Sequence, residues 1–297
     1  MDASISVIIP YYNGSKFIAA TLASVFKQDL PPLEIIVIDD GSKPEESAAL
    51  DHFKDRIKII RQQNTGVSGA RNTGIANARG RWIALLDQDD LWAPNKLSRQ
   101  SWYIEQHPEC RAVHTAVRAI KQNGREVVYH KKPLVFDDFL HAHPNPSYLS
   151  STMISREGLL LAGLFNPTLP FSQDLECFLR CSRHFSFHYL DEVLTTRVHH
   201  DANLSGNYLG VWQENLRIVR FYATQFKNDA DYRRRLYELH LRYAIYAIGR
   251  RNFGGLMQII KDCGRDDFSR FAFGFNVAAQ MIRNKLHPQM HAIPATS

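Results

Sequence analysis

The chain predicts an α/β protein, a doubly wound and mostly parallel central sheet followed by a helical C-terminal extension. Three observations carry this. Apolar or β-rich runs at residues 5–9, 34–38, 57–61 and 82–86 have the length of strands buried on both faces. Helix-patterned segments separate the first three, so strand and helix alternate within about 60 residues, as right-handed crossovers require. The runs also end in polar clusters, and in open α/β sheets ligands bind at the carboxyl ends of strands.

The elements follow in order. Residues 5–9 are closed by Pro10, Tyr11, Tyr12, Asn13 and Gly14, a strand running into a loop. Phe17, Ile18, Leu22, Val25 and Phe26 recur at helical spacing, giving a helix over 15–27. Pro31 and Pro32 break the chain before the second strand, which ends in Asp39 and Asp40. Residues 45–54 read as helix and 57–61 as the third strand. Gly66 and Gly69 allow a tight loop ahead of a helix that carries Arg71 and Asn72. An Arg in the first turn of a helix suits either an anion site or an ordinary solvated position, and the spacing alone favours neither.

The fourth strand stops at Asp87, Gln88, Asp89 and Asp90, three carboxylates in four residues. Such groups repel one another unless a cation or a donor-rich ligand joins them. A hard divalent ion shared with substrate phosphates fits, and so does a solvated acidic turn capping the helix that starts near Pro94. Beyond it, residues 97–107 read as helix, 112–120 and 126–129 as a hairpin around Asn123-Gly124, 136–142 as a short helix, 148–154 as a strand and 156–162 as a helix. Asp174 opens a helix, where a carboxylate is favourable against the dipole whatever else it does. Short strands at 187–190 and 193–198 precede His199 and His200; adjacent histidines seldom bind one metal together, since neighbours on a strand point oppositely. From residue 211 the pattern turns helical, with Trp212, Leu216, Val219 and Phe226 on one helix, Leu236, Leu239, Tyr243 and Tyr246 on a second that stops at Gly249, and a tail over 253–263 and 268–286.

Composition bounds the function. The chain has 297 residues, 44% of them hydrophobic, room for a large core with an appendage. It has no apolar run long enough to span a bilayer and no signal peptide, and its four cysteines form no C-x-x-C pair, so a cytoplasmic protein with buried free thiols is expected. The net charge of +6 is uneven: residues 207–297 hold 14 Lys and Arg against 7 Asp and Glu. A basic, aromatic C-terminal part suits contact with an anionic membrane, or packing on the sheet domain. No nucleic-acid motif, dinucleotide fingerprint or P-loop accompanies it, and nucleic acid is not an expected partner.

Six stretches in this order resemble the family-2 glycosyltransferases, inverting enzymes with the nucleotide-sugar-binding GT-A fold: SVIIPYYN (6–13), IIVIDDGS (35–42), NTGVSGARNTGI (64–75), LLDQDDLWAPNKL (85–97), SQDLECFLR (172–180) and RVHHDANLS (197–205). The resemblance covers about the first 205 residues. It implies a transferase domain at 1–206, with a nucleotide-sugar half at 1–107 and an acceptor half at 108–206, and a helical extension at 207–297. It further implies that Pro10, Tyr11 and Asp40 hold the nucleotide base and that Arg71 lies near the nucleotide. Asp87-Gln88-Asp89 resembles the family's D-x-D motif, with Asp87 and Gln88 toward the nucleotide sugar and Asp89 as a ligand of Mn²⁺ or Mg²⁺. His199 or His200 resembles the histidine that approaches the metal, and Asp174 the catalytic base. The expected reaction moves a sugar, with UDP-sugar as the expected donor, onto a glycan or glycolipid hydroxyl during bacterial surface polysaccharide synthesis. The expected location is the cytoplasm or the inner face of the plasma membrane. Two departures stand out: Gln173 occupies a position where the family usually has Glu, and the histidine is doubled. A non-catalytic scaffold keeping the same fold is the main alternative. A phosphoacceptor domain and a sugar nucleotidyltransferase fit less well, for want of the lysine and the Gly-rich loop each needs.

Overall fold

The computed structural model describes residues 4–141, 148–200 and 207–265. The chain divides into two compact units, with the division between Gly206 and Asn207.

In the first unit the strands join one sheet. β1 (Ile5–Tyr11), β2 (Glu34–Asp40), β3 (Lys58–Gln62) and β4 (Trp82–Leu85) run parallel in the order β3-β2-β1-β4. β1 is buried along its whole length, which is why its run is apolar on both faces. On one face Ile5, Val7 and Ile9 join the core with Ile18, Leu22 and Val25 of helix α1 (Ser15–Phe26). Each such side chain contributes about 1.5–3 kcal/mol by leaving water. Gly41, at φ 78°, turns the chain so tightly after β2 that a Cβ there would lie 2.8 Å from the Asn64 backbone nitrogen. That turn brings Asp40 against the loop ahead of α3 (Gly66–Asn77).

Past β4 the sheet becomes mixed. The order continues through β8 (Met153–Ser155), β6 (Ala112–Ile120), β9 (Phe187–Val198) and β5 (Asp90–Trp92), with β7 (Glu126–Tyr129) also on β6. Here β6 and β9 are parallel, whereas β4 with β8, β8 with β6, β9 with β5 and β6 with β7 are antiparallel. The parallel pairing read from the sequence is that of the N-terminal four strands, and β6 with β9 adds a further parallel pair. Helices α4 (Lys96–Gln106), α5 (Phe136–Leu140), α6 (Arg156–Leu161) and α7 (Gln173–Cys181) complete the unit.

Four local expectations change. The acidic run continues into the edge strand β5, held antiparallel to Arg197, Thr196 and Thr195. Residues 45–54 are one α-helical turn, α2 (Pro44–Ser47), followed by a 3₁₀ helix at Ala48–Phe53. The strand expected at 148–154 is a 3₁₀ turn at Leu149–Ser151 with β8 after it. The two strands expected within 187–198 are one strand with register shifts opposite Thr115, Ala116 and Val117.

The second unit is helical: α8 (Tyr208–Phe221), α9 (Asp229–Gly249) and α10 (Phe253–Arg265). Trp212, fully buried, meets His240 edge-on at 5.7 Å between ring centroids, and Asn215 donates to the Tyr243 hydroxyl at 3.3 Å. Phe226 is buried beyond the end of α8 rather than on it. The helix expected at 268–286 lies outside the described residues. Among the described residues no helix is long and apolar enough to cross a membrane.

Candidate active site

The carboxyl ends of β1, β2 and β4 lie side by side, and the polar residues that close those strands face a common edge. At β2 the two aspartates divide their work. Asp39 accepts from the Ser42 N–H at 3.0 Å and from the Ser47 hydroxyl, so it closes its own turn. Asp40 accepts through Oδ1 from the Thr65 N–H at 2.9 Å, the Gln62 amide at 2.7 Å and the Thr65 hydroxyl at 3.2 Å. These bonds fix a buried carboxylate against the β3–α3 loop. Pro10 is buried at the end of β1 beside it, paired with Ile38. Tyr11 is 1% exposed, and its hydroxyl donates to the Glu46 carbonyl at 2.5 Å; burial pushes its pKa up to about 12. Its side chain therefore anchors the end of β1 to the helix that follows β2.

Gln88, expected toward the nucleotide sugar, is hydrogen-bonded to the Tyr12 backbone in this structure. Its carboxamide accepts from the Tyr12 N–H at 2.9 Å and donates to the Tyr12 carbonyl at 3.2 Å, so both ends are spent on backbone. Gly14 makes room for it, because a Cβ there would collide with the Gln88 carboxamide. The middle residue of D-Q-D is thus a strut between the β1 loop and the acidic loop.

The three aspartates around it have separate partners. Asp87 receives Arg71 Nη2 on Oδ1 at 2.7 Å, and its N–H donates to the Ser150 hydroxyl at 3.2 Å. Arg71 is 3% exposed, with its guanidinium 5.4 Å from the Phe165 ring centroid. Asp89 meets His200, Oδ2 to Nε2, at 2.8 Å. Burial raises the Asp89 pKa, the neighbouring Asp87 charge raises it further, and the His200 contact opposes both. Asp90 is buried, and burial raises its pKa as well; Arg197, 4.0 Å away, opposes the rise. Ser150, itself 1% exposed, ties these parts together: its carbonyl accepts from Trp92 Nε1 at 2.7 Å and from the Thr195 hydroxyl at 3.2 Å.

The doubled histidine is separated by the structure. His200 turns to Asp89 and stacks on Phe17 at 4.3 Å between centroids. His199 turns to Lys121, Nε2 to Nζ at 3.2 Å, and its N–H donates to the Ile120 carbonyl at 2.9 Å. Burial, Lys121 and Arg197 lower its pKa to about 4, so its neutral ring accepts the lysine proton. His199, expected as a candidate metal ligand beside His200, is occupied on the other side of the chain.

Asp174 is the second residue of α7, and its Oδ1 accepts from the Leu175 N–H at 2.8 Å. The segment before α7 is held by Asn72, whose amide accepts from the Phe165 N–H at 2.9 Å and donates to its carbonyl at 2.8 Å. Arg180 donates to the carbonyls of Ala162 and Leu164. The Arg71-Asn72 pair on α3 thus positions both an acidic-loop residue and the approach to Asp174. Tyr148 borders the same region: burial pushes its pKa up to about 12, the Arg197 charge 5.0 Å from its ring opposes this, and the Asp174 charge contributes to the rise. Tyr148, Ser150 and Arg197 were not singled out from sequence. Arg197 stood inside a matched stretch, but nothing in its spacing pointed to Asp90.

The donor set suits a hard divalent ion. Two neighbouring carboxylates, one with its pKa raised by burial and by the other's charge, are an arrangement a cation would relieve, and an imidazole nitrogen faces one of them. Among the described residues no group of three or more His, Cys, Asp and Glu side chains surrounds a common point. Such ions are commonly held by one or two carboxylates with substrate phosphates supplying the rest.

With this geometry in view, comparison with known proteins assigns the class. The model of glycosyl transferase family 2 matches residues 6–170, and the chain belongs to that family. Chondroitin synthase of Escherichia coli is 26% identical over 221 residues, 71% of this chain and 31% of that protein. The E. coli enzyme UDP-Glc:alpha-D-GlcNAc-diphosphoundecaprenol beta-1,3-glucosyltransferase WfgD is 42% identical over 101 residues, 33% of this chain and 40% of its own. The putative teichuronic acid biosynthesis glycosyltransferase TuaG of Bacillus subtilis is 32% identical over 157 residues, 50% of this chain and 58% of its own. The chain therefore spans less than two thirds of each of these relatives. The crystal structure of S. aureus TarS 1-349 in complex with UDP matches with a TM-score of 0.63 at 16% identity, over 99% of this chain and 94% of that one. A likeness at that identity establishes the GT-A fold.

Proposed function

We propose that the protein transfers a sugar from a nucleoside diphosphate sugar to an acceptor hydroxyl with inversion, in the synthesis of a bacterial polysaccharide or lipid-linked glycan. The observation that carries this is the Asp89–His200 pair, assembled at 2.8 Å from residues 111 positions apart, beside Asp87 at the carboxyl end of β4. UDP is the expected nucleotide; S. aureus TarS has been crystallised with UDP and with UDP-GlcNAc. The relatives named for chondroitin, teichuronic acid and undecaprenol-linked products support the polysaccharide setting.

In this reading the base sits by Asp40 against the β3–α3 loop, with Pro10 and the Tyr11 backbone beside it. Asp89 and His200 would hold Mn²⁺ or Mg²⁺, with Asp87 kept in place by Arg71. When bound, such an ion supplies Lewis-acid stabilisation of the departing diphosphate. Asp174 accepts the proton of the acceptor hydroxyl as that oxygen attacks the anomeric carbon from the face opposite the diphosphate. The C–O bond to the new oxygen forms as the bond to the diphosphate breaks, and one displacement inverts the anomeric configuration.

The test is calorimetric titration of UDP, with GDP and dTDP as comparators, with and without Mn²⁺, on wild type and Asp89→Ala. Metal-dependent binding of one nucleotide, lost in the variant, is expected. Absence of nucleotide binding with metal present would leave the non-catalytic scaffold as the better reading. For the second unit, the basic surplus together with Phe221 and Phe253, 80% and 69% exposed, supports a peripheral contact with anionic lipid. Failure to co-sediment with anionic vesicles would remove it.

A further inference from the structure

A second charged cluster extends from Arg197, at the edge of the carboxylate site, to the β6–β7 hairpin. The Lys121 ammonium stands 5.5 Å from the Tyr129 ring centroid. The Lys131 ammonium stands 5.8 Å from that same ring and 5.0 Å from the ring of Tyr148. The Arg197 guanidinium is also 5.0 Å from Tyr148, and the two rings are 5.8 Å apart. Three cations therefore share two aromatic rings.

Arg197 has Asp90 as its counter-charge. Among the described residues neither lysine forms an ion pair: the Lys121 ammonium meets His199 Nε2 at 3.2 Å, and the Lys131 ammonium meets only ring faces. Burial lowers the Lys131 pKa, with no carboxylate acting to hold it up. Ring faces attract a cation but carry no net charge, so an anionic ligand would supply the counter-charge that the two lysines lack here. All five side chains are half-buried, so a ligand can reach them. Tyr148 ties the cluster to the acidic loop through Arg197, whose guanidinium lies 5.0 Å from the Tyr148 ring and 4.0 Å from Asp90. Lys121 contacts His199, whereas Asp89 contacts His200.

We infer that Lys121, Lys131, Tyr129 and Tyr148 form an acceptor subsite for a glycan carrying a phosphate or carboxylate near the hydroxyl that Asp174 deprotonates. The inference rests on the transferase reading and supplies its acceptor class. The tyrosine rings take the apolar face of a sugar, and the lysines take its charge.

Three probes test it by titration without nucleotide: an alkyl sugar diphosphate, a uronate-terminated disaccharide and a neutral alkyl glycoside. On wild type, at least one charged probe should bind about tenfold or more tighter than the neutral one, the usual worth of a charged hydrogen bond. In Lys121→Ala/Lys131→Ala that preference should shrink to about twofold or less. Lys121→Arg/Lys131→Arg should keep it, and matching thermal melts show that all three proteins are folded. The diphosphate and uronate arms distinguish a lipid-linked phosphate from an acidic sugar. UDP binding is measured separately, so failure of the transferase reading is seen independently of this result. Equal binding of charged and neutral probes, no binding of either charged probe, or an unchanged preference in the alanine variant overturns the inference. So does a parallel loss of UDP affinity, which would place the lysines on the donor.

Discussion

His200 Nε2 and Asp89 Oδ2 stand 2.8 Å apart, with Phe17 flat against the imidazole at an interplanar angle of 16°. Three parts of the chain meet there: the first turn of α1, the loop after β4 and the residues following β9. The stack leaves the imidazole little freedom except toward the carboxylate. His199, one residue earlier, is turned away to Lys121.

The two histidines should therefore answer differently to the same substitution. His200→Ala should weaken Mn²⁺-dependent UDP binding by about 10–100-fold, the scale seen when groups that hold or orient a metal are removed. His199→Ala should change it by about threefold at most, since it loses only a bond to a lysine. Calorimetry on both variants decides; equal losses would mean that His199 reaches the metal.

Arg71 and Asp87 make a testable positioning pair. Arg71 is buried, with Nε and Nη1 making no hydrogen bond, so its one carboxylate contact holds it. Arg71→Met should leave Asp87 without its partner and cost about 1–3 kcal/mol, below the range for a fully buried pair because the Asp87 side chain is 33% exposed. Asp87→Asn alone should cost a similar amount by stranding the arginine. The double variant should recover stability in urea unfolding but not UDP affinity. Recovery of both would make the pair purely structural.

The parallel half of the fold was legible because β1, β2 and β4 are buried on both faces and so carry uninterrupted apolar runs. β5 was not, since a three-residue edge strand beginning with a buried aspartate has no period to read. Asp40, Asp87, Asp89 and Asp174 could be singled out by motif and by charge at strand or helix ends. What could not be read was which groups they meet. Asp90–Arg197 and Asp89–His200 join residues over 100 positions apart, and D-Q-D gives no sign that its Gln serves Tyr12. Ser150 was opaque for the same reason: a serine inside an expected strand shows nothing of Asp87, Trp92 and Thr195, the three residues it joins.

Asp174 carries the proton transfer in the proposed reaction. Asp174→Asn keeps the shape and the Oδ1 bond to the Leu175 N–H but removes the base. Its kcat should fall by about 10²–10⁴-fold, with UDP affinity within about twofold of wild type. Tyr148→Phe should be much milder on kcat, because the hydroxyl borders the base without taking the proton. Steady-state transfer assays check both, and a wild-type kcat in Asp174→Asn would remove the residue from the mechanism.

Acid stability should be set in part by His114, far from the motifs. It is fully buried on β6, its Nε2–H donating to the Lys132 carbonyl at 3.0 Å. Burial lowers its pKa from 6.5 to about 3, with the Lys131 charge adding to the drop and the Lys132 carbonyl opposing it. The unfolded chain then binds the proton between those two values while the folded chain does not. Stability is whole above the unfolded value and declines as pH falls toward the folded one. Between pH 7 and 4.5 this single group should cost about 2–3 kcal/mol, at about 1.4 kcal/mol per pH unit below the unfolded pKa. Other acid-sensitive groups add to the wild-type curve, so the informative quantity is the difference from His114→Gln, which keeps an N–H donor but does not titrate. Urea unfolding from pH 7 to 4.5 should show the variant losing less stability than wild type across that window. Parallel curves would mean that His114 titrates alike in both states, and its burial would then have no part in acid unfolding.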